Sequence, residues 1–310
     1  MEFITIKEAA TNWQLAEQTV RRYCREGRIP NARQEDRVWY IPANAKRPGQ
    51  IQEKKPIPIT PLAKKLQQQK KKKAYHGLYD FVQIQLTYSS SRMASNRLTR
   101  KQVEHIFRKG KVQESFEPLK VSDLIEVLNH VACVDYIIDH ATEPLSQKFI
   151  KAIHKRLMSG TVDSWNALVD PGIYRPSEFS RKDRMLPPAA SIPHRLAELI
   201  DAYEALDNVE INDILDFHVE LERLAPFKDG NGRVGRLLMF KECMRHAITP
   251  FILDDKHRSI YLEGIKKWSS QRKVLLKVTE AAQEYFQGKM DLCDLDEHRQ
   301  RFLPDSLKND

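Results

Sequence analysis

Residues 211–246 constrain this chain more than any other stretch, because they read as helix, tight loop, helix. Phe217, Val219, Leu221 and Leu224 supply an apolar face to the first helix, and Leu237, Leu238 and Phe240 supply one to the second. Pro226 ends the first helix, since its ring fits poorly beyond a helix start. Between the helices stands Pro226-Phe227-Lys228-Asp229-Gly230-Asn231-Gly232-Arg233-Val234-Gly235-Arg236. Gly230 and Gly232 let the backbone turn closely, so that N–H groups converge on an anion. The loop then opens the second helix, whose N-terminal N–H groups and dipole favour phosphate. Arg233 and Arg236 are three apart, share one face of that helix, and offer two guanidinium forks to outer phosphates. An acid at Asp229 would repel a bare phosphate; as a magnesium ligand it would bridge to one. Directly before the loop stands Ala225, where such a site wants a proton acceptor.

Glycine is scarce, at 11 of 310 residues, and most segments carry a helical rather than an alternating period, which predicts a mainly α fold. The period places helices at 6–11, 17–26, 99–109, 121–141, 145–158, 193–206, 211–224, 233–246 and 258–287. Pro48, Pro56, Pro58, Pro61, the Gln67–Gln69 run and Lys70–Lys73 break it, and that composition reads as a linker whose basic end can become helical. The expected domains are therefore 1–47, a basic linker 48–75, a helical domain 76–290 and a polar tail 291–310. Charge is uneven: residues 1–75 hold 17 Lys/Arg and 7 Asp/Glu, a net of +10, against +9 for the whole chain. Such asymmetry points to a polyanion at one end, with a solubilising tail as the bland alternative. No apolar run reaches the ~20 residues of a membrane span, and Met1-Glu2-Phe3 lacks the start of a signal peptide. Cys24, Cys133, Cys243 and Cys293 are far apart, with no CxxC pair, and read as reduced thiols. The expectation is a cytoplasmic protein.

In the first domain, Thr5-Ile6-Lys7-Glu8 has capping-box spacing, so a helix should start at Ile6. Gln18 to Arg25 forms a second short helix, which Gly27 can stop. Val20 and Tyr23 face inward. Gln18, Thr19, Arg21, Arg22 and Arg25 stay outside, a donor-rich set that reaches phosphates and base edges. Arg33 and Arg37 follow around a polar turn, then Val38-Trp39-Tyr40-Ile41 reads as a strand. Helix, turn, basic helix and small hairpin resemble the winged helix-turn-helix of MerR and excisionase-type DNA binders. That resemblance implies DNA as a partner, read through Gln18, Thr19, Arg21, Arg22, Arg25 and Arg37. A hairpin that docks on protein is the alternative. Readers of this shape often pair symmetrically, which makes a homodimer plausible.

Leu221 to Arg236 resembles the active-site motif of Fic proteins, H-P-F-x-[DE]-G-N-G-R-x-x-R, with only its first position broken. Ile153-His154-Lys155-Arg156-Leu157 and Pro171-Gly172-Ile173-Tyr174-Arg175 resemble the approach to that family's β-hairpin flap. Leu186-Pro187-Pro188 resembles its far side. Arg258 and Tyr261 fall where the family places a helix over the adenine. The resemblance covers about residues 80–285 and implies a Fic-type helical domain with a small β-hairpin flap, transferring AMP from ATP to a Ser, Thr or Tyr of a protein target. It implies Asp229 as the Mg2+ ligand and Gly230, Asn231 and Gly232 as the anion hole. Arg233 would bind the β-phosphate region and Arg236 the γ-phosphate, and Phe227 and Tyr261 join the ATP-binding set. Residues near 173–190 would pair with an extended target segment.

Two alanines stand at telling places. The family's catalytic histidine corresponds to Ala225, and a methyl group cannot accept the hydroxyl's proton. His218, two turns earlier on the same helix, lies about 10 Å back along the axis and reads as a core or surface residue rather than a substitute. Upstream, Ser90 and Asn96-Arg97-Leu98-Thr99 resemble the family's inhibitory motif S-x-x-x-E-[GN], yet Ala94 takes the place of the glutamate that pairs with the second arginine, here Arg236. Alanine at both control points reads as a paired, engineered substitution rather than scattered drift. The resemblance thus implies an adenylyltransferase that is catalytically dead and released from inhibition. The alternative is an ATP-sensing transcriptional regulator, a pseudoenzyme with the same loop.

Overall fold

The capping box at Thr5 forms as its spacing predicts. Thr5 Oγ1 accepts from the Glu8 N–H at 3.3 Å, and Glu8 Oε2 accepts from the Thr5 N–H at 2.7 Å. It opens α1 (Ile6–Trp13) in the computed structural model, which describes residues 2–25, 29, 31–36, 38–45, 47, 57–73, 76–112, 118–177 and 185–302, the last seven by backbone alone. Gln14, at φ 53°, closes α1, and α2 (Glu17–Arg25) follows after a three-residue turn. A three-stranded antiparallel sheet completes the unit: β1 (Phe3–Thr5), β2 (Arg33–Glu35) and β3 (Val38–Pro42), in the order β1-β3-β2. Ile4 lies opposite Ile41, and Gln34 opposite Trp39. β1 was not expected, because three residues are too few to show alternation. Ile6, Ala9, Trp13, Val20, Tyr23 and Ile41 form a small core of their own. Gly27 and Arg37 lie outside the described residues.

A second, larger core is built by helices: α3 (Pro61–Lys72), α4 (Leu78–Met93), α5 (Arg100–Lys109), α6 (Val121–Asp139), α7 (Gln147–Met158), the short α8 (Val162–Trp165), α9 (Ile192–Glu204), α10 (Ile211–Leu224), α11 (Asn231–Arg245), α12 (Arg258–Lys267) and α13 (Lys273–Phe302). The linker expected over 48–75 is corrected from residue 61 onward. Pro61 suits the first helical position, and Thr60 Oγ1 caps it by accepting from the Ala63 N–H and donating to the Met244 carbonyl at 2.7 Å. Ala63, Leu66 and Gln69 recur at helical spacing and are buried, so a short apolar edge among lysines is enough once other helices supply the rest of the core. Gln69 Oε1 accepts from the Tyr79 N–H at 2.7 Å and ties α3 to α4.

The helical period missed α4, which only the resemblance placed, as an inhibitory-helix region over 87–99; the helix runs instead from Leu78 to Met93. It is buried almost all round, which erases the one-sided period, and Ser89-Ser90-Ser91 has the composition of a turn. The single helix expected at 258–287 divides into α12 and α13 around Ser269 and Ser270. α13 then runs on to Phe302, into the expected tail, because no glycine or proline follows Gly288 until Pro304. All four cysteines are free. Among the described residues no helix is long and apolar enough to cross a membrane.

Candidate phosphate-binding site

α10 and α11 form the hairpin that carries the site. α10 ends at Leu224, and Ala225 caps it in the left-handed conformation, φ 43° and ψ 66°, fully buried. Arg175 holds that turn. Its Nε donates to the Ala225 carbonyl at 2.9 Å, its backbone N–H to the Pro226 carbonyl at 2.9 Å, and its Nη2 to the Pro187 carbonyl at 2.6 Å. Asn231 closes the loop from the other side. Its Oδ1 accepts from the Phe227 N–H at 3.0 Å, and its Nδ2 donates to the Phe227 carbonyl at 2.8 Å. Gly230, at φ 78°, makes the last bend before α11, a backbone region costly for a residue with a Cβ. These bonds pin the loop without using the N–H groups at the start of α11.

His154 on α7 supports the loop from beneath. Its ring stacks on Phe227 with centroids 3.7 Å apart and planes at 3°. Nδ1 accepts from the Gly172 N–H at 2.8 Å, so Nε2 carries the proton and donates to the Asp229 carbonyl at 3.1 Å. Burial pushes its pKa down to about 4, which keeps this neutral tautomer in place. His154 therefore joins the anion loop to the Gly172 turn. Sequence reasoning placed it only on the approach to the flap; nothing in one sequence marks which backbone groups a histidine will bridge.

The two arginines are buried and engaged. Arg233 sends Nη2 to Asp229 Oδ2 at 2.6 Å and Nη1 to Glu126 Oε2, on α6, at 3.2 Å. Arg236 donates Nε to Ser90 Oγ at 3.0 Å and Nη2 to the Ser90 carbonyl at 2.9 Å, at the end of α4. A Cβ added at Gly232 would lie 3.0 Å from Arg236 Nη1 and 3.2 Å from Glu222 Oε1, so glycine there keeps the fork uncrowded. Asp229, Glu126 and Glu222 outnumber the two guanidinium groups. A multiply charged phosphate entering this site therefore gains from arriving with a cation.

The structure brings Ala225, Asp229, Gly230, Asn231, Gly232, Arg233, Arg236 and Ser90 into one region. Phe227 and Tyr261 are both buried: Phe227 stacks on His154 under the loop, and Tyr261 has its hydroxyl 2.7 Å from His218 Nε2 and its ring centroid 6.0 Å from the Arg236 guanidinium carbon. His218 is a buried packing residue, and a Cβ at Gly235 would come within 2.5 Å of its Nδ1. Arg258 Nε donates to the Met93 carbonyl at 3.2 Å. Ala94 is exposed at the end of α4, whereas Asn96 is buried and donates Nδ2 to the Asp123 carbonyl at 2.9 Å and to Glu126 Oε2 at 3.3 Å. Of the flap, 171–177 and 185–188 contain no strand, and 178–184 lie outside the described residues; Ile173 and Met185 are exposed. In the first domain Gln18, Arg21, Arg22 and Arg25 are exposed and Thr19 is half-buried.

Residues 144–243 match the model of the Fic/DOC family. A protein adenylyltransferase Fic of Culex quinquefasciatus is 26% identical over 193 residues, 59% of this chain and 36% of that protein. Another protein adenylyltransferase Fic, of Drosophila erecta, is 30% identical over 155 residues, 46% of this chain and 30% of that one. The chain thus spans about a third of the length of these relatives. A Fic domain containing signaling protein from Bacteroides thetaiotaomicron has a similar fold: TM-score 0.58, 17% identity, covering 74% of this chain and 94% of that one. The matched segment begins before α7 and runs through the loop into α11, so the similarity to Fic/DOC domains lies in the part of the chain that carries the loop.

Proposed function

We propose that the α10–α11 loop binds ATP with magnesium, and that the domain's chemistry is transfer of AMP to a protein hydroxyl, silent in this chain because position 225 is alanine. The observation that carries this reading is the loop itself. A pinned backbone turn, a helix N-terminus and two forks on one face converge there, beside an exposed carboxylate. Among the described residues no cluster of three or more His, Cys, Asp or Glu could hold a metal. The Asp229 side chain is 55% exposed at the mouth of the loop, and a single hard oxygen ligand suits a magnesium ion that takes its remaining ligands from phosphate and water. When bound, that ion would neutralise phosphate charge. Gly230, Asn231 and Gly232 would donate backbone N–H groups to the transferred phosphate, and Arg233 and Arg236 would hold the phosphates beyond it. An extended target segment would lie beside Ile173–Ser177 and Met185–Pro188.

Ala225 withholds the general base, a loss of ~10²–10⁴ in rate. Its carbonyl is fixed by Arg175, so a histidine introduced there would enter a predetermined backbone position. At the other control point, Ser90 already touches Arg236. A carboxylate at position 94, one turn later on the same face, would compete with phosphate for that fork. Incubation of the Ala225→His protein with labelled ATP tests the reading: label transferred to itself or to a lysate protein supports it, and a folded variant that binds ATP without transfer overturns it.

That second outcome would favour an ATP-responsive regulator, which Ala225 together with the exposed Arg21, Arg22 and Arg25 of α2 supports. In either case the first domain would bind DNA as a winged helix-turn-helix, with α2 toward the groove.

A further inference from the structure

We infer that Glu126 of α6 is the positioning residue that keeps Arg233 aimed at the β-phosphate once the cation has engaged Asp229. The inference rests on the reading that Arg233 meets phosphate and Asp229 meets magnesium. Arg233 is 4% exposed; its Nη2 donates to Asp229 Oδ2 at 2.6 Å, and its Nη1 forms an ion pair with Glu126 Oε2 at 3.2 Å that lacks hydrogen-bond alignment. The anchors differ in kind. Asp229 lies one turn back, at the start of the loop, is 55% exposed, and is the carboxylate that a cation would take. Glu126 sits on a different helix and is 18% exposed.

Glu126 is itself held. Its Oε2 also accepts from Asn96 Nδ2 at 3.3 Å, and the same amide nitrogen donates to the Asp123 carbonyl at 2.9 Å. Asn96 Oδ1 accepts from the Leu98 N–H at 3.1 Å. Burial raises the carboxyl's pKa, and the Arg233 guanidinium opposes that rise, so the two groups stabilise each other's charge. A guanidinium on a long side chain loses its aim when unheld, because its many rotamers favour dispersal. When cation binding removes the Asp229 contact, the Glu126 ion pair is the one that still holds Arg233. The end of α4 and the segment after it thereby reach both forks: Ser90 of α4 meets Arg236 directly, and Asn96 reaches Arg233 indirectly through Glu126.

The test is equilibrium binding of ATP, ADP and AMP in magnesium to the full chain and to Glu126→Ala, Glu126→Gln, Arg233→Ala and the double variant Glu126→Ala/Arg233→Ala. Glu126→Ala should weaken ATP and ADP at least tenfold and leave AMP, which lacks a β-phosphate, unmoved. Glu126→Gln keeps an acceptor oxygen and should recover most of the loss. In the absence of Arg233, removing Glu126 should cost nothing further. Equal losses for AMP and ATP would mark a merely structural role and overturn the inference. Tighter ATP binding by Glu126→Gln would also overturn it, because the carboxylate would then be competing with phosphate. Should the unaltered chain bind no nucleotide at all, the underlying reading fails instead.

Discussion

His154 and His218, together with His130 of α6, whose Nδ1 lies 3.1 Å from Thr87 Oγ1, show how single buried residues set the pH response of this fold. All three are buried, and burial lowers their pKa values to about 4, 3 and 3. Each is neutral in the fold, while in the unfolded chain it takes up a proton as pH falls through about 6.5. The unfolded state therefore binds more protons between pH 6.5 and the folded values, and stability must fall as pH falls through that window. Each histidine contributes about 1.5 kcal/mol of loss between pH 6.5 and 5. Urea titrations across that range should show the decline, and His154→Gln should reduce its slope by about one proton; an unchanged slope would mean His154 is not buried neutral. His154→Leu removes both bridging bonds and should destabilise the fold by about 2–3 kcal/mol, read from the same titrations. Gly235→Ala places a methyl group against the His218 ring and should lower Tm.

At the scale of elements, α3 completes the helical core and α4 supplies the Ser90 contact to Arg236. Leu66 of α3 is fully buried, so Leu66→Ala should cost about 2–5 kcal/mol of stability, whereas a solvated linker at that position would lose nothing. Ala94→Glu should add a carboxylate near the Arg236 fork and reduce ATP affinity at least tenfold, measured by calorimetry; unchanged affinity would separate the end of α4 from the phosphate site. The α10–α11 hairpin was legible from residue types alone, because Pro226, Gly230, Gly232 and the arginine spacing are local signals. So were α1, α2 and β3. α4 was not legible, since a helix buried on all sides has no polar face to set its period. α3 was hidden by its lysines and glutamines, with only Ala63 and Leu66 as apolar burial. The partners of the arginines were beyond sequence reach: Ser90 and Glu126 lie 146 and 107 positions before Arg236 and Arg233. The burial of Tyr261 and Phe227, both expected in an ATP-binding set, was likewise out of reach, because which face of an aromatic is covered depends on tertiary packing.

Across the whole molecule, a basic first unit with its own core and a helical domain with a phosphate loop share one chain. If α2 contacts DNA phosphates, a mobility shift should weaken steeply with salt, and Arg21→Ala should reduce the magnitude of the log–log slope by about 1. A shift insensitive to both would favour a protein-docking role. The nucleotide site gives the most direct test of the account. Isothermal titration of the full chain with ATP, with and without magnesium, and again with Arg236→Ala, should give saturable binding that requires magnesium and falls at least tenfold without the guanidinium. Absence of magnesium-dependent ATP binding in a folded protein, or binding indifferent to Arg236, would contradict it.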